Sequence, residues 1–212
     1  GIRDSVPSGA GTALVVYPSA GIQHLIREVL QTEGVNVGAV LLTHGHPDHV
    51  CDAAEVSTWG LDGTTVPVYL PGPDMYRMDD PASFLPMSPP DFVGEWVKPT
   101  DLREMPADSV ELTPGVWIRM VPAPGHTEGS AVFLGHSPLD IRVNNQSFYA
   151  NEECVPWALS ADVLFKDSVG RTDMPGGEET PMRHSLRTIS NALDPNTILN
   201  PGHGPATTMA DE

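Results

Sequence analysis

The sequence predicts a mixed α/β fold, and two patterns carry the prediction. Short apolar runs at residues 12–17 and 37–42 flank a segment, 20–32, whose apolar residues recur at helical spacing. That arrangement is the signature of a strand-helix-strand unit with parallel strands. Three times, a strand-like run also ends in a Pro/Gly loop carrying histidine: T-H-G-H-P-D-H at 43–49, P-G-H-T-E-G-S at 124–130 and P-G-H-G-P at 201–205. Ligand sites in open α/β folds gather at strand ends, so the three loops can meet along one edge. A chain of 212 residues lies near the ~100–200 residues usual for one domain. The expected division is an N-terminal arm, 1–11, and a single domain over 12–212.

The small, polar residues 1–11 read as a loose arm, and 12–17 as a strand stopped by Pro18 and Ser19. In 20–32, Ile22, Leu25, Ile26, Val29 and Leu30 form a helical stripe, Gly34 offers the stop, and His24 is expected on the surface. The strand 37–42 feeds the first histidine loop, after which a helix over 49–58 and a strand over 66–70 are expected. Prolines 71, 73, 81, 86, 89, 90 and 99 punctuate a first insertion near 71–107. Its residues Met75, Tyr76, Met78, Phe84, Met87, Phe92 and Trp96 lack a period and suit a satellite cluster or a lid over a cleft.

Strands are expected at 110–112 and 116–121, joined by a turn at Pro114-Gly115, and again at 130–134. Residues 136–157 show no clear period and read as a second insertion in which His136, Glu152 and Glu153 face water. In 159–165 the acid Asp162 stands alone in an apolar stretch; a buried unpaired carboxylate is costly, so a cation or a metal must meet it. A turn, G-R-T-D at 170–173, precedes a helix opened by Thr180-Pro181, with Met182, Leu186, Ile189 and Leu193 on one face and His184 off the stripe. The short strand 197–199 leads into the last histidine loop.

A formal charge of −17 disfavours nucleic acid, anionic membranes and polyanionic substrates as partners. No run approaches the ~20 apolar residues of a membrane span, and no basic-then-apolar leader is visible, so a cytoplasmic location is the expectation. The two cysteines, Cys51 and Cys154, are too few for a disulfide scaffold and are expected to be buried thiols.

The loop at 43–49 packs three imidazoles and a carboxylate into six positions, and these are the ligands that borderline metals such as Zn²⁺ prefer. Gly45 and Pro47 let the chain turn sharply, so that His44 and His46 can converge on one ion while Asp48 and His49 face a second.

Taken together, T-H-G-H-P-D-H, P-G-H-T-E-G-S, A-D-V-L-F, G-R-T-D and P-G-H-G-P resemble the metallo-β-lactamase superfamily, particularly its glyoxalase II-like hydrolases, over about residues 12–208. The resemblance implies an αββα sandwich, two mixed sheets flanked by helices. It assigns His44, His46 and His126 to a first metal and Asp48, His49 and His203 to a second, with Asp162 bridging them; Asp48 and Asp162 are also the expected catalytic carboxylates. Two divalent ions are implied, zinc first, with iron and manganese also occurring in such enzymes. Paired cations lower the pKa of a shared water, so that a bridging hydroxide attacks the carbonyl of a small thioester or ester. A thiolate, from a thiol of pKa ~8.5, leaves without much help from an acid, whereas an amine needs a proton donor. Arg171 and Asp173 are expected to brace the metal loops.

Three departures qualify the expectation. Tyr17 stands where the family commonly has an aspartate, and Ala161 replaces the glycine usual before the bridging acid. No helical region of the glutathione-contacting kind follows the last loop, which points away from S-lactoylglutathione. The competing expectations are a mononuclear-iron, persulfide dioxygenase-like enzyme and a metal-binding relative with little activity.

Overall fold

The computed structural model describes residues 11–85, 95–143 and 146–212. Most of the expected arm, and Pro86, Met87, Pro89, Pro90 and Phe92 of the first insertion, lie outside them. Four strands, β1 (Gly11–Val16), β2 (Val35–Leu41), β3 (Val68–Leu70) and β4 (Leu102–Glu104), pair in parallel in the order β1-β2-β3-β4. Helix α1 (Gln23–Glu33) makes the crossover from β1 to β2 and ends at Gly34, φ 66°. Strand β2 is buried on both faces: Ala39 and Leu41 point into one apolar cluster, Val40 and Leu42 into another. That two-sided burial explains why the run reads as continuously apolar.

The second sheet has the order β12-β11-β8-β7-β6-β5. Its strands are β5 (Val110–Thr113), β6 (Val116–Pro122), β7 (Ala131–Val143), β8 (Gln146–Ala161), β11 (Ile198–Pro201) and β12 (Thr207–Thr208). All its pairings are antiparallel except β11 with β8, which is parallel. A two-stranded hairpin, β9 (Leu164–Phe165) and β10 (Ser168–Val169), follows β8. Leu14, Ala39 and Leu41 of the first sheet meet Ile118, Phe133, Trp157 and Leu159 of the second. Helix α4 (Glu179–Ala192) covers the outer face of the second sheet through Met182, Leu186 and Ile189. The outer face of the first sheet lies under Ile26 and Leu30 of α1 and under two short helical turns, α2 (Pro47–Val50) and α3 (Ala53–Val56). The layers are therefore α, β, β, α. Among the described residues, no helix is long and apolar enough to cross a membrane.

Three expectations need correction. The single helix over 49–58 is broken in two at Asp52, whose N–H donates to Pro18 O (3.1 Å) and whose carboxylate accepts from Gly21 N–H (3.0 Å) and Gln23 Nε2 (3.2 Å). Residues 136–157 are no irregular insertion but the outer parts of β7 and β8, paired from Phe133 with Leu159 to Val143 with Gln146. Asp140, Glu152 and Glu153 are exposed while Leu139, Ile141, Tyr149 and Val155 pack on the core; the alternation that marks this in the sequence is confined to Leu139, Ile141 and Val143, a short stretch of a long ribbon. Cys154 is exposed rather than buried.

Candidate metal centre

The ends of four strands build the site. Strand β2 delivers His44 and His46, and His46 is in extended conformation (φ −78°, ψ 144°) just before Pro47 opens α2. Asp48 and His49 then occupy that short turn. His126 follows β6, Asp162 follows β8 and His203 follows β11. Because β6, β8 and β11 run in the same direction, their C-terminal ends lie on one edge, and the end of β2 meets them there.

All seven singled-out side chains converge. Potential ligand atoms lie within 4.8 Å of one another in each of three groups: His44, His46 and His126; His44, His49 and Asp162; Asp48, His49 and His203. Asp162 stands between the inner and outer histidines, Oδ1 3.4 Å from His49 Nε2, and Oδ2 3.7 Å from His126 Nε2 and 3.6 Å from His203 Nε2. Asp48 Oδ2 is 3.2 Å from His203 Nε2. The inner group is buried, with His44, His46 and His126 at 3% exposure or less. The outer group opens to solvent through the side chains of Asp48 (55% exposed) and His203 (59%). The other histidines, His24, His136 and His184, are exposed.

The protonation pattern suits a cation. His126 donates from Nδ1 to Arg171 O (2.8 Å), which leaves Nε2 a bare acceptor facing His46 Nδ1 at 2.9 Å. Thr43 Oγ1 meets His44 Nδ1 at 3.1 Å, and His44 Nε2, His46 Nε2 and His49 Nδ1 are buried without any hydrogen-bond partner. Such orphaned buried polar atoms are costly unless something binds them. Burial, and then the neighbouring His49, His46 and His126, hold His44 well below the ordinary imidazole value; burial first and His126 second bring His46 down to about 3, and burial lowers His126. Burial would raise Asp162, but the neighbouring His49, 3.4 Å from its Oδ1, and then His126 and His203 bring it below the usual carboxylate value. Neutral His44, His46 and His126 beside the ionised Asp162 carboxylate are a donor set that fits divalent metals of borderline softness.

Several supports were not legible in the sequence. Asp74 and Arg77, wholly buried in the 3-10 turn Gly72–Asp79, reach both inner histidine loops: Asp74 accepts from Gly45 N–H (2.8 Å), Thr127 Oγ1 (2.8 Å) and Gly129 N–H (2.7 Å). Arg77 NH2 donates to Glu128 and to Pro175 O (2.8 Å). Tyr17 donates its hydroxyl to Pro201 O (3.2 Å) and sets its ring edge-on to His49, the centroids 5.3 Å apart. Burial and the Asp162 charge push its phenol up to about 12. Gly202 must lack a side chain, since a Cβ there would lie 2.2 Å from Asp162 Oδ1. Arg171, by contrast, was expected as a brace, and it holds His126 through its backbone carbonyl rather than its side chain, whose guanidinium pairs with Asp173 in solvent (2.6 and 2.8 Å). Burial, then Asp52 and Asp48, push the Cys51 thiol up to about 11, so it carries little thiolate at neutral pH.

The family model described as the Metallo-beta-lactamase superfamily matches residues 19–137. The chain is 32% identical over 208 residues to the uncharacterised protein ML0493 of Mycobacterium leprae, covering 96% of this chain and 86% of that one. It is 27% identical over 209 residues to the hydroxyacylglutathione hydrolase GloC of Haemophilus influenzae, covering 94% and 84%. Among solved structures it resembles TTHA1623 in a di-iron-bound form, with a TM-score of 0.66 and 27% identity over 95% of this chain and 85% of that one.

Proposed function

Because the chain belongs to the metallo-β-lactamase superfamily, we propose that it is a dinuclear metal-dependent hydrolase that cleaves a small thioester or ester in the manner of glyoxalase II-like enzymes. The observation that carries the reading is the placement of Asp162, one carboxylate within 3.7 Å of histidines from both the inner and the outer group. In this reading His44, His46 and His126 hold one ion, Asp48, His49 and His203 hold the second, and Asp162 is shared. Two dications so placed would supply a nucleophilic hydroxide at neutral pH and polarise the scissile carbonyl. Zinc suits the ligands, and the di-iron form of TTHA1623 makes iron the alternative.

The preference for a good leaving group follows from the side chains. Burial keeps His44, His46 and His126 neutral, and Asp162 is held ionised, so these four offer no acidic proton to a departing amine. A thiolate, from a thiol of pKa ~8.5, needs none. The likeness to a hydroxyacylglutathione hydrolase supports the same class. Substrate would approach over Asp48 and His203, the exposed members of the set.

The test is a substrate panel of thioesters, carboxylic esters, lactones and β-lactams offered to metal-loaded protein. Thioesters or esters turn over fastest if the reading holds. Faster β-lactam turnover, or oxygen uptake on glutathione persulfide with one iron per chain, overturns it.

A further inference from the structure

We infer that Asp74 is a positioning residue that sets the affinity of the inner metal position by clamping together the two loops that supply its histidines; the inference rests on the metal-binding reading above. Gly45, whose N–H Asp74 Oδ2 accepts at 2.8 Å, lies between His44 and His46 in the chain. Thr127, whose hydroxyl donates to the same oxygen at 2.8 Å, directly follows His126. Oδ1 takes the N–H of Gly129 at 2.7 Å, and a Cβ on Gly129 would lie 2.6 Å from the Asp74 carboxyl carbon, so the loop approaches as closely as a backbone can. One carboxylate with no exposure therefore spans the only two loops that contribute to the His44, His46 and His126 group.

The contacts require a carboxylate rather than any polar group. Each of three donors points at an oxygen, and an amide in its place would turn an NH₂ toward at least one of them. Arg77 Nε, 3.4 Å from Asp74 Oδ1, supplies the counter-charge that a buried carboxylate needs. The bare Nε2 of His126 stands 2.9 Å from His46 Nδ1, a separation between side chains 80 residues apart that the clamp helps to fix. Both loops that Asp74 ties carry inner ligands, whereas only one of them, through Asp48 and His49, carries outer ones, so its effect falls first on the inner position.

The experiment is a titration of chelator-stripped protein with Co²⁺, followed by visible absorption, beside the melting curve of each metal-free variant. Wild type takes Co²⁺ in two steps. Asp74→Asn weakens the tighter, inner step ~10- to 100-fold, the range for partners that orient ligands, and weakens the outer step by less. Thr127→Val, which keeps the carboxylate and removes one donor, shifts the inner step in the same direction by less, and Thr127→Ser restores it. Should Asp74→Asn fail to fold, Thr127→Val and Thr127→Ser carry the test. Equal weakening of both steps in parallel with a lower metal-free melting temperature, or unchanged Co²⁺ binding in both variants, overturns the inference. Failure of wild type to take up Co²⁺ overturns the metal reading itself, a result distinct from either.

Discussion

Asp162 and the residue before it concentrate the chemistry and the strain of the site. The carboxylate is held ionised among three histidines, so Asp162→Asn is expected to cut metal content below the wild-type value and to reduce hydrolysis by more than the ~10- to 100-fold typical of losing an orienting partner. Metal analysis beside thioesterase rate checks this; an unchanged metal content would contradict it. Ala161 adopts φ 48°, left-handed backbone that costs an L-residue ~1–2 kcal/mol, while glycine there would lose ~0.5–1 kcal/mol in chain entropy. Ala161→Gly should therefore stabilise the protein by up to about 1.5 kcal/mol, read as a rise in denaturation midpoint. Tyr17, with φ 37°, is the second strained residue beside the site, tied to the final histidine loop through Pro201.

Three buried histidines in two of the loops shift in the same direction. Burial holds His44, His46 and His126 below the ordinary 6.5, His46 as low as about 3, so between those values the unfolded chain takes up protons that the folded chain refuses. Metal-free protein should thus lose stability as pH falls through 6.5 toward 3, and keep this contribution constant above 6.5. Urea midpoints of chelator-treated protein at about pH 7 and about pH 5 check the sign, and an equal or higher midpoint at the lower pH would contradict it. These loops were legible because each ligand type follows an apolar strand and stands in a Pro/Gly turn, a local pattern. Strand β2 was legible because both its faces are buried, whereas the β7–β8 ribbon was not, since only one of its faces packs on the core and its apolar alternation is confined to Leu139, Ile141 and Val143. Asp74 escaped for a different reason: its partners Gly45 and Thr127 are 29 and 53 residues away, and no period marks the 3-10 turn that carries it. The break at Asp52 likewise depends on contacts back to Pro18 and Gly21.

In the molecule as a whole, the two sheets share one core and present the ends of β2, β6, β8 and β11 at a common edge, so metal binding joins loops from both sheets. Ions that bind only the folded chain stabilise it by ~4 kcal/mol at a thousandfold excess over Kd, and chelation should lower the melting temperature accordingly. The division into a buried inner group and a half-exposed outer group makes the second ion the decisive one. The most direct test is metal content per chain, measured by mass spectrometry on protein loaded and then desalted, for wild type and His203→Ala. The account predicts two ions in wild type and one in the variant; a single ion in wild type, unchanged by His203→Ala, would contradict it.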